Sequence, residues 1–272
     1  MTRKAAVAGL FYPENPEELK GQIKSFLSKI KEKKIKNYGM ISPHAGYIYS
    51  GQTAACSFSQ LQKADTYIIL GTNHATAENT ISTDDFETPT GIVKNDSKFS
   101  ELLLKNSIFA KDAQPYEHSI EAQLPFLQYM TKNPQIVPIA IATRDFSRIK
   151  EIARSIIKTA EKLKRKIYII SSSDFTHYGY GYGFTPFSPG EAEKRLEKMD
   201  KDAISFILRM DAEGFLKCAE KTTICGQGAI AAAMEACKML GAKKASLLKY
   251  SNSAEISKSY DNVVGYASII FI

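Results

Sequence analysis

The chain has 272 residues, 44% of them hydrophobic, with 36 Lys and Arg against 29 Asp and Glu, a formal net charge of +7 and a pI near 9.0. That is ample material for a packed core in one large domain or two small ones, with no need for disulfide staples. No apolar stretch is long enough to span a bilayer, and the apolar run near the N-terminus is too short for a signal peptide, so the expectation is a soluble, cytoplasmic protein without a membrane partner. The basic excess collects in residues 31–36, 162–166 and 243–244, at expected helix ends and turns where cations suit the helix dipole and solvent. No aromatic-interleaved basic stripe accompanies it, so it reads as solvated surface and not as a nucleic-acid face. The four cysteines, Cys56, Cys218, Cys225 and Cys237, show neither C-x-x-C nor zinc-finger spacing and read as reduced thiols.

Asn15-Pro16-Glu17-Glu18 has an N-cap, a first-turn proline and a capping-box glutamate, and Leu19, Ile23, Phe26, Leu27 and Ile30 follow at helical spacing. A strand through Tyr38-Gly39-Met40-Ile41 ends in Ser42-Pro43-His44. Residues 43–51 read as a loop rich in glycine and tyrosine, and residues 53–61 as a helix packed back on the sheet. The next strand is Tyr67-Ile68-Ile69-Leu70, which changes abruptly to Gly71-Thr72-Asn73-His74. Residues 80–86 and 91–93 read as two short strands, and a helix starts near Asp96-Ser97 carrying Phe99, Leu102 and Leu103. Tyr116 onward begins as a loop and becomes a helix by Leu127. Residues 136–141 form a buried strand, and residues 145–163 a helix with Ile149, Ile152, Ile156 and Leu163 inward. The strand Ile167-Tyr168-Ile169-Ile170 leads through Ser171-Ser172-Ser173-Asp174-Phe175-Thr176 to His177. Tyr178 to Phe184 alternates tyrosine and glycine and reads as a mobile aromatic loop, a lid or a plain surface excursion. Helices follow over 189–208, 211–219 and 229–240, and strands over 245–250 and 263–272. The alternation predicts one α/β domain, residues 1–272, with a central, mostly parallel or mixed sheet flanked by helices.

Three of the four histidines, His44, His74 and His177, therefore fall where a strand ends. Ligands in open α/β sheets bind beyond the carboxyl ends of the strands. A lone loop histidine is more often structural than a ligand, but a shared topological position changes that balance. Imidazole is the commonest metal ligand, and two histidines with one anionic ligand leave coordination positions open. Cys225, in Ile224-Cys225-Gly226-Gln227-Gly228, stands at a helix start, which favours thiolate; the bland alternative is a small residue packed beside glycines. Asp174 can orient an imidazole, accept a proton or cap a turn. His118 is a supporting donor or a loop residue, and Glu121 and Gln123 read equally well as first-turn helix residues.

The motifs Pro43-His44-Ala45-Gly46-Tyr47, Gly71-Thr72-Asn73-His74, Glu117-His118-Ser119-Ile120-Glu121-Ala122-Gln123-Leu124-Pro125-Phe126-Leu127, Ser172-Ser173-Asp174-Phe175-Thr176-His177-Tyr178 and Cys225-Gly226 closely resemble the Memo-like family, as does the opening from Arg3 to Pro13. The resemblance covers nearly the whole chain. It implies a fold similar to the catalytic subunit of class III extradiol dioxygenases, which are non-haem iron enzymes. It implies that His44 and His74 match the iron-ligand histidines, that His177 matches the acid/base histidine, and that His118 matches a further active-site histidine. Cys225 stands where the dioxygenases have a glutamate ligand. A thiolate is softer and shifts preference toward iron, copper or zinc. In microbes the family often accompanies radical-SAM proteins, which makes one a possible partner.

Three functions compete. The first is a metal-dependent redox protein of the oxidoreductase or dioxygenase-like kind. In it His44, His74 and Cys225 hold iron or copper, with zinc as the alternative, and His177, Asp174 and His118 serve the chemistry. The second is a module on the same fold that binds a peptide or small molecule without turnover. The third is a hydrolase with Cys225 as nucleophile and His177 or His74 as base. Each requires residues far apart in the chain to meet around one void.

Overall fold

The computed structural model describes residues 1–111 and 117–272; Tyr116, expected to open a loop, lies outside them. In chain order the elements are β1 (Thr2–Arg3), α1 (Pro16–Ser28), β2 (Gly39–Ser42), α2 (Tyr47–Ser59), β3 (Thr66–Thr72), β4 (Thr80–Ile81), β5 (Asp85–Thr88), β6 (Gly91–Asn95), α3 (Ser97–Leu104) and β7 (Ala110–Lys111). Then come a 3₁₀ turn (Glu121–Gln123), α4 (Leu124–Met130), β8 (Gln135–Ile141), α5 (Phe146–Leu163), β9 (Ile167–Ser172), β10 (His177–Gly179), a second 3₁₀ turn (Tyr180–Tyr182), α6 (Pro189–Leu208), α7 (Ala212–Ala219), α8 (Gln227–Leu240), β11 (Ala245–Asn252), α9 (Ala254–Ser257) and β12 (Asn262–Phe271).

Among the described residues the strands join in one sheet, ordered β1-β5-β6-β8-β3-β9-β2-β12-β10, with β11 on β12 and β4 on β7 and β8. The centre, β6 through β2, is parallel, while β12 runs antiparallel to β2 and β5 antiparallel to β6. The expected α/β class with a mixed central sheet is what the molecule has.

Successive side chains on a strand point to opposite faces. On β3, Ile68 and Leu70 enter one apolar core, while Tyr67 and Ile69 enter the other; on β9, Ile169 and Ile170 divide the same way. The first core is closed by α3, α5, α6, α7 and α8, and the second by α1, α2 and α4. A central strand buried on both faces has no polar side to show, which is why these segments read as unbroken apolar runs. Truncating one such residue, as in Ile69→Ala, leaves a cavity and costs about 2–5 kcal/mol.

The helix starts follow the capping chemistry. The Asn15 side chain accepts from the N–H groups of Glu17 and Glu18, and Asp145 caps α5 through Arg148 N–H. The reciprocal capping box belongs to Ser188 and Glu191 of α6.

Four expectations change. Residues 43–51 are not all loop, because α2 begins at Tyr47, whose N–H donates to Phe11 O at 2.7 Å and whose ring packs on Tyr12 and Phe126. The strand expected over 80–86 divides into β4 and β5. His177 does not end a strand: β9 stops at Ser172, and His177 opens β10, paired antiparallel with β12. Residues 178–184 are not all loop: β10 runs to Gly179 and a 3₁₀ turn follows, with Tyr178 fully buried, its hydroxyl on Phe187 O, and Gly179 and Phe184 exchanging backbone hydrogen bonds.

Candidate metal centre

β3, β9 and β2 lie side by side and parallel, so their carboxyl ends open on one edge. The loops leaving them carry His74, Asp174 and His44. β12 contributes from the other direction. Its first residues extend past the end of β2 and pair with β10, which brings His177 to the same edge.

His44 is almost fully buried. Its N–H and that of Ala45 donate to Asp174 Oδ1 at 2.8 and 3.3 Å. Its Nδ1 lies 3.0 Å from Ser172 Oγ, whose own proton goes to Ser119 O at 2.5 Å. Gln123 Nε2 also donates to that hydroxyl. Ser172 can therefore only accept from His44, which places the proton on Nδ1 and leaves Nε2 for other work. That Nε2 stands 3.4 Å from Cys225 Sγ.

His74 is arranged in the same sense. Its Nδ1 lies 3.1 and 3.2 Å from the two oxygens of Glu117, a buried carboxylate that also accepts from His74 N–H and Ser119 N–H. The carboxylate can only accept, so Nδ1 carries the proton and Nε2 is turned to Cys225.

Cys225 sits one residue before Gly226, the N-cap of α8, and is thus just outside the helix. Gly226 N–H donates to Ser173 Oγ at 3.0 Å, and a Cβ at Gly226 would press on the Ser173 side chain. Only glycine lets the helix start come this close to the end of β9. One donor atom from each of His44, His74 and Cys225 lies within 4.8 Å of the others. A tetrahedral ion with a metal–sulfur bond of about 2.3 Å and metal–nitrogen bonds of about 2.0 Å would space sulfur and nitrogen about 3.5 Å apart. The 3.4 Å between Cys225 and His44 fits that spacing.

The charges are tightly coupled. Burial alone would raise the Cys225 thiol, but the His44 and His74 imidazoles outweigh it and hold it down to about 5. Burial opposes the charged form of His44, yet Asp174 and Cys225 raise it to about 9. Burial likewise opposes charge on His74, and hydrogen bonding to Cys225 and Glu117 lifts it to about 10. Glu117 is held well below the ordinary carboxylate range because His74 overcomes the cost of its burial. His118 moves the other way, down to about 4, through burial and the charge of His44.

A cavity of about 420 Å³ opens above the centre, lined by His44, His74, His118, His177 and Asp174, with Phe11, Tyr49, Tyr182 and Tyr266 among its walls. A family model for Memo-like proteins matches residues 3–270. The chain belongs to the Memo-like family.

A MEMO1 family protein of Methanosarcina barkeri is 37% identical over 98% of this chain and 99% of its own length. Another, of Thermoplasma volcanium, is 39% identical over 99% and 98%. An uncharacterized Escherichia coli protein of known structure superposes with a TM-score of 0.52 at 10% identity, over 86% of this chain and 100% of its own, which shows a shared fold and no more.

In this Memo-like chain a second group of donors, His74, Glu117 and His118, is also within 4.8 Å. The rings of His74 and His118 are nearly parallel, 9° apart and 5.0 Å between centroids. Lone pairs in the planes of stacked rings do not converge on one point, and Glu117 is already engaged by His74. This group orients His74 and does not form a second centre.

Asp174 caps the His44 turn; among the described residues the hydrogen bonds of its carboxylate go to His44 N–H and Ala45 N–H, not to His177. The imidazoles against the Cys225 sulfur are His44 and His74, and His177 is tied instead to Thr223. Glu121 and Gln123 are more than helix residues. Glu121 accepts from Ala6 N–H, Val7 N–H and Tyr12 Oη, and Gln123 donates to Pro43 O and Ser172 Oγ. Sequence reasoning passed over Glu117, Ser172 and Thr223. A carboxylate adjoining His118 and a run of three serines after an apolar strand were the available signals for the first two; Thr223 carried none. Among the described residues no helix is long and apolar enough to cross a membrane.

Proposed function

We propose that this Memo-like protein is a metal-dependent redox protein in which His44, His74 and Cys225 hold an iron or copper ion, with zinc as the alternative. One observation carries the reading: two imidazoles whose Nδ1–H groups are held by acceptors, and a thiol favoured as thiolate, offer donor atoms within 4.8 Å of one another, and both imidazoles line the cavity. A mixed nitrogen–sulfur set suits iron, copper and zinc better than magnesium or calcium. Bound there, such an ion supplies Lewis acidity and, for iron or copper, one-electron chemistry.

The chain's own groups do the rest. Glu117 and Ser172 keep a proton on each Nδ1, so the proton an entering ion would displace is the one each ring carries on Nε2. Asp174 holds the His44 turn through two backbone N–H groups. His118, stacked on His74 and neutral at pH 7, walls the cavity without adding charge. His177, which also lines the cavity, moves a proton there. The Cys225 hydrolase reading has less support, because the thiol is enclosed by the histidines and Asp174 O.

Anaerobic purification followed by metal analysis tests the reading. The expected result is close to one equivalent of iron or copper in the native protein and none in Cys225→Ala or His44→Ala with the fold retained. A native protein that takes up no metal with affinity above that of the Cys225→Ala variant overturns it, and leaves a pocket that binds a small molecule or peptide without turnover.

A further inference from the structure

We infer that Thr223 is a positioning residue that fixes His177 as a proton acceptor facing the cavity. The inference deepens the redox reading above and rests on it for the role of the cavity. Three hydrogen bonds join the two residues. His177 N–H donates to Thr223 Oγ1 at 2.8 Å, the Thr223 hydroxyl donates to His177 O at 2.6 Å, and His177 Nδ1 lies 3.2 Å from Thr223 O. A carbonyl oxygen only accepts, so Nδ1 carries a proton, and the nitrogen left to take one up is Nε2. Among the described residues Nε2 has no hydrogen-bond partner, while the ring lines the cavity with the Tyr182 ring 5.1 Å away.

The backbone around the ring is equally tied, because His177 pairs with Val264 of β12. The side chain of Thr223 aligns the two backbones so that its carbonyl meets the ring. Thr223 also lies two residues before Cys225, so one short turn sets both the thiol and the proton acceptor.

This orientation selects the ligand. The matching ligand arrives protonated at the atom that meets Nε2, as an ionisable hydroxyl does. On transfer the O–H bond breaks, the Nε2–H bond forms and the electron pair stays on oxygen. The resulting anion stays in the cavity, and the imidazolium keeps its Nδ1–H bond to Thr223 O.

The test uses full-length protein labelled with ¹⁵N-histidine, measured metal-free and after loading with zinc. The chain has four histidines, so His177→Gln assigns the His177 signals by their loss. The expected result is a proton on His177 Nδ1 in both states. Thr223→Val should shift the tautomer ratio toward Nε2–H by roughly 2- to 10-fold, the worth of one ordinary hydrogen bond, and Thr223→Ser should restore it. Native protein with the proton on Nε2 overturns the proposal, whether or not the valine variant folds. So does a folded Thr223→Val protein with an unchanged ratio. The metal-free spectrum stands even if no metal proves to bind, so failure of the metal reading and failure of this one are separable.

Discussion

Replacing Glu117 by glutamine tests the centre most sharply, because shape is kept and one acceptor becomes a donor. Glu117 takes His74 N–H at 3.0 Å and His74 Nδ1–H at 3.1 Å on one oxygen, and Ser119 N–H at 2.8 Å on the other. A glutamine amide must turn its NH₂ toward either His74 or Ser119. Each choice sets donor against donor in a buried place, at a cost of about 1–3 kcal/mol. The ring can escape by moving its proton to Nε2, but that is the nitrogen turned to Cys225, and a protonated nitrogen cannot ligate. Metal affinity should therefore fall about 10- to 100-fold, the usual effect of losing such a supporting group, or about 1.4–2.7 kcal/mol. The assay is anaerobic competition against a chromophoric chelator, with zinc and iron(II) in turn, beside a denaturant melt as fold control. A folded Glu117→Gln protein with affinity within about twofold of native, well inside that range, would refute the reasoning.

Cys225→Ser should lower the His44 titration midpoint from about 9 toward the ordinary imidazole value, because the thiolate that favours its charged form is gone; histidine NMR across pH reads it directly. Gly228→Ala should destabilise the protein by about 1–3 kcal/mol through overpacking, since a Cβ there runs into Thr143 O, and a urea melt measures the loss. Asp200 is fully buried on α6, accepting from Thr176 N–H and Tyr250 Oη, and burial raises it to about 6, above the ordinary aspartate range. The folded state thus holds its proton more tightly than the unfolded chain. Its contribution to stability is full below pH 4 and is lost as pH rises through 6, amounting to about 3 kcal/mol. Comparing native protein with Asp200→Asn from pH 4 to pH 7 isolates this group from carboxylates that act oppositely, such as Glu117. A stability difference between the two that stays flat over that interval contradicts the assignment.

Much of the scaffold was legible because its signals are local. The runs at β3, β8 and β9 are apolar on both faces, and Asn15 marks the start of α1 by chemistry acting within one turn. The start of α2 was not, because Gly46 and the tyrosines argue for loop, while Phe11 O and the rings of Tyr12 and Phe126, all distant in sequence, hold Tyr47 in a helix. β1 and β7, two residues each, are too short to show a period. At the centre, His44, His74 and Cys225 could be singled out because their residue types are rare and strand or helix ends present them. Glu117, Ser172 and Thr223 are common residue types whose meaning lies in a partner 43, 128 or 46 positions away.

The segment from Glu117 to Gln123 shows why those distant partners meet. Glu117 reaches His74 after β3. The Ser119 hydroxyl accepts from Thr72 N–H and donates to Thr72 O, and Ser119 O receives the Ser172 proton at the end of β9. Gln123 then reaches Pro43 O after β2, and Ala122 O accepts from Tyr47 Oη at the start of α2. One stretch thus clasps three adjacent strand ends, while its outer side, through Glu121, anchors the N-terminal segment that lays Phe11 against His118. A parallel sheet by itself only brings loops to a common edge. What turns that edge into a set of oriented donors is a segment whose polar groups are nearly all spent on the backbone and side chains of its neighbours. The histidines are therefore rigid before any ligand arrives, so a bound ion need not order them, and the free energy it would otherwise lose to ordering stays available as affinity.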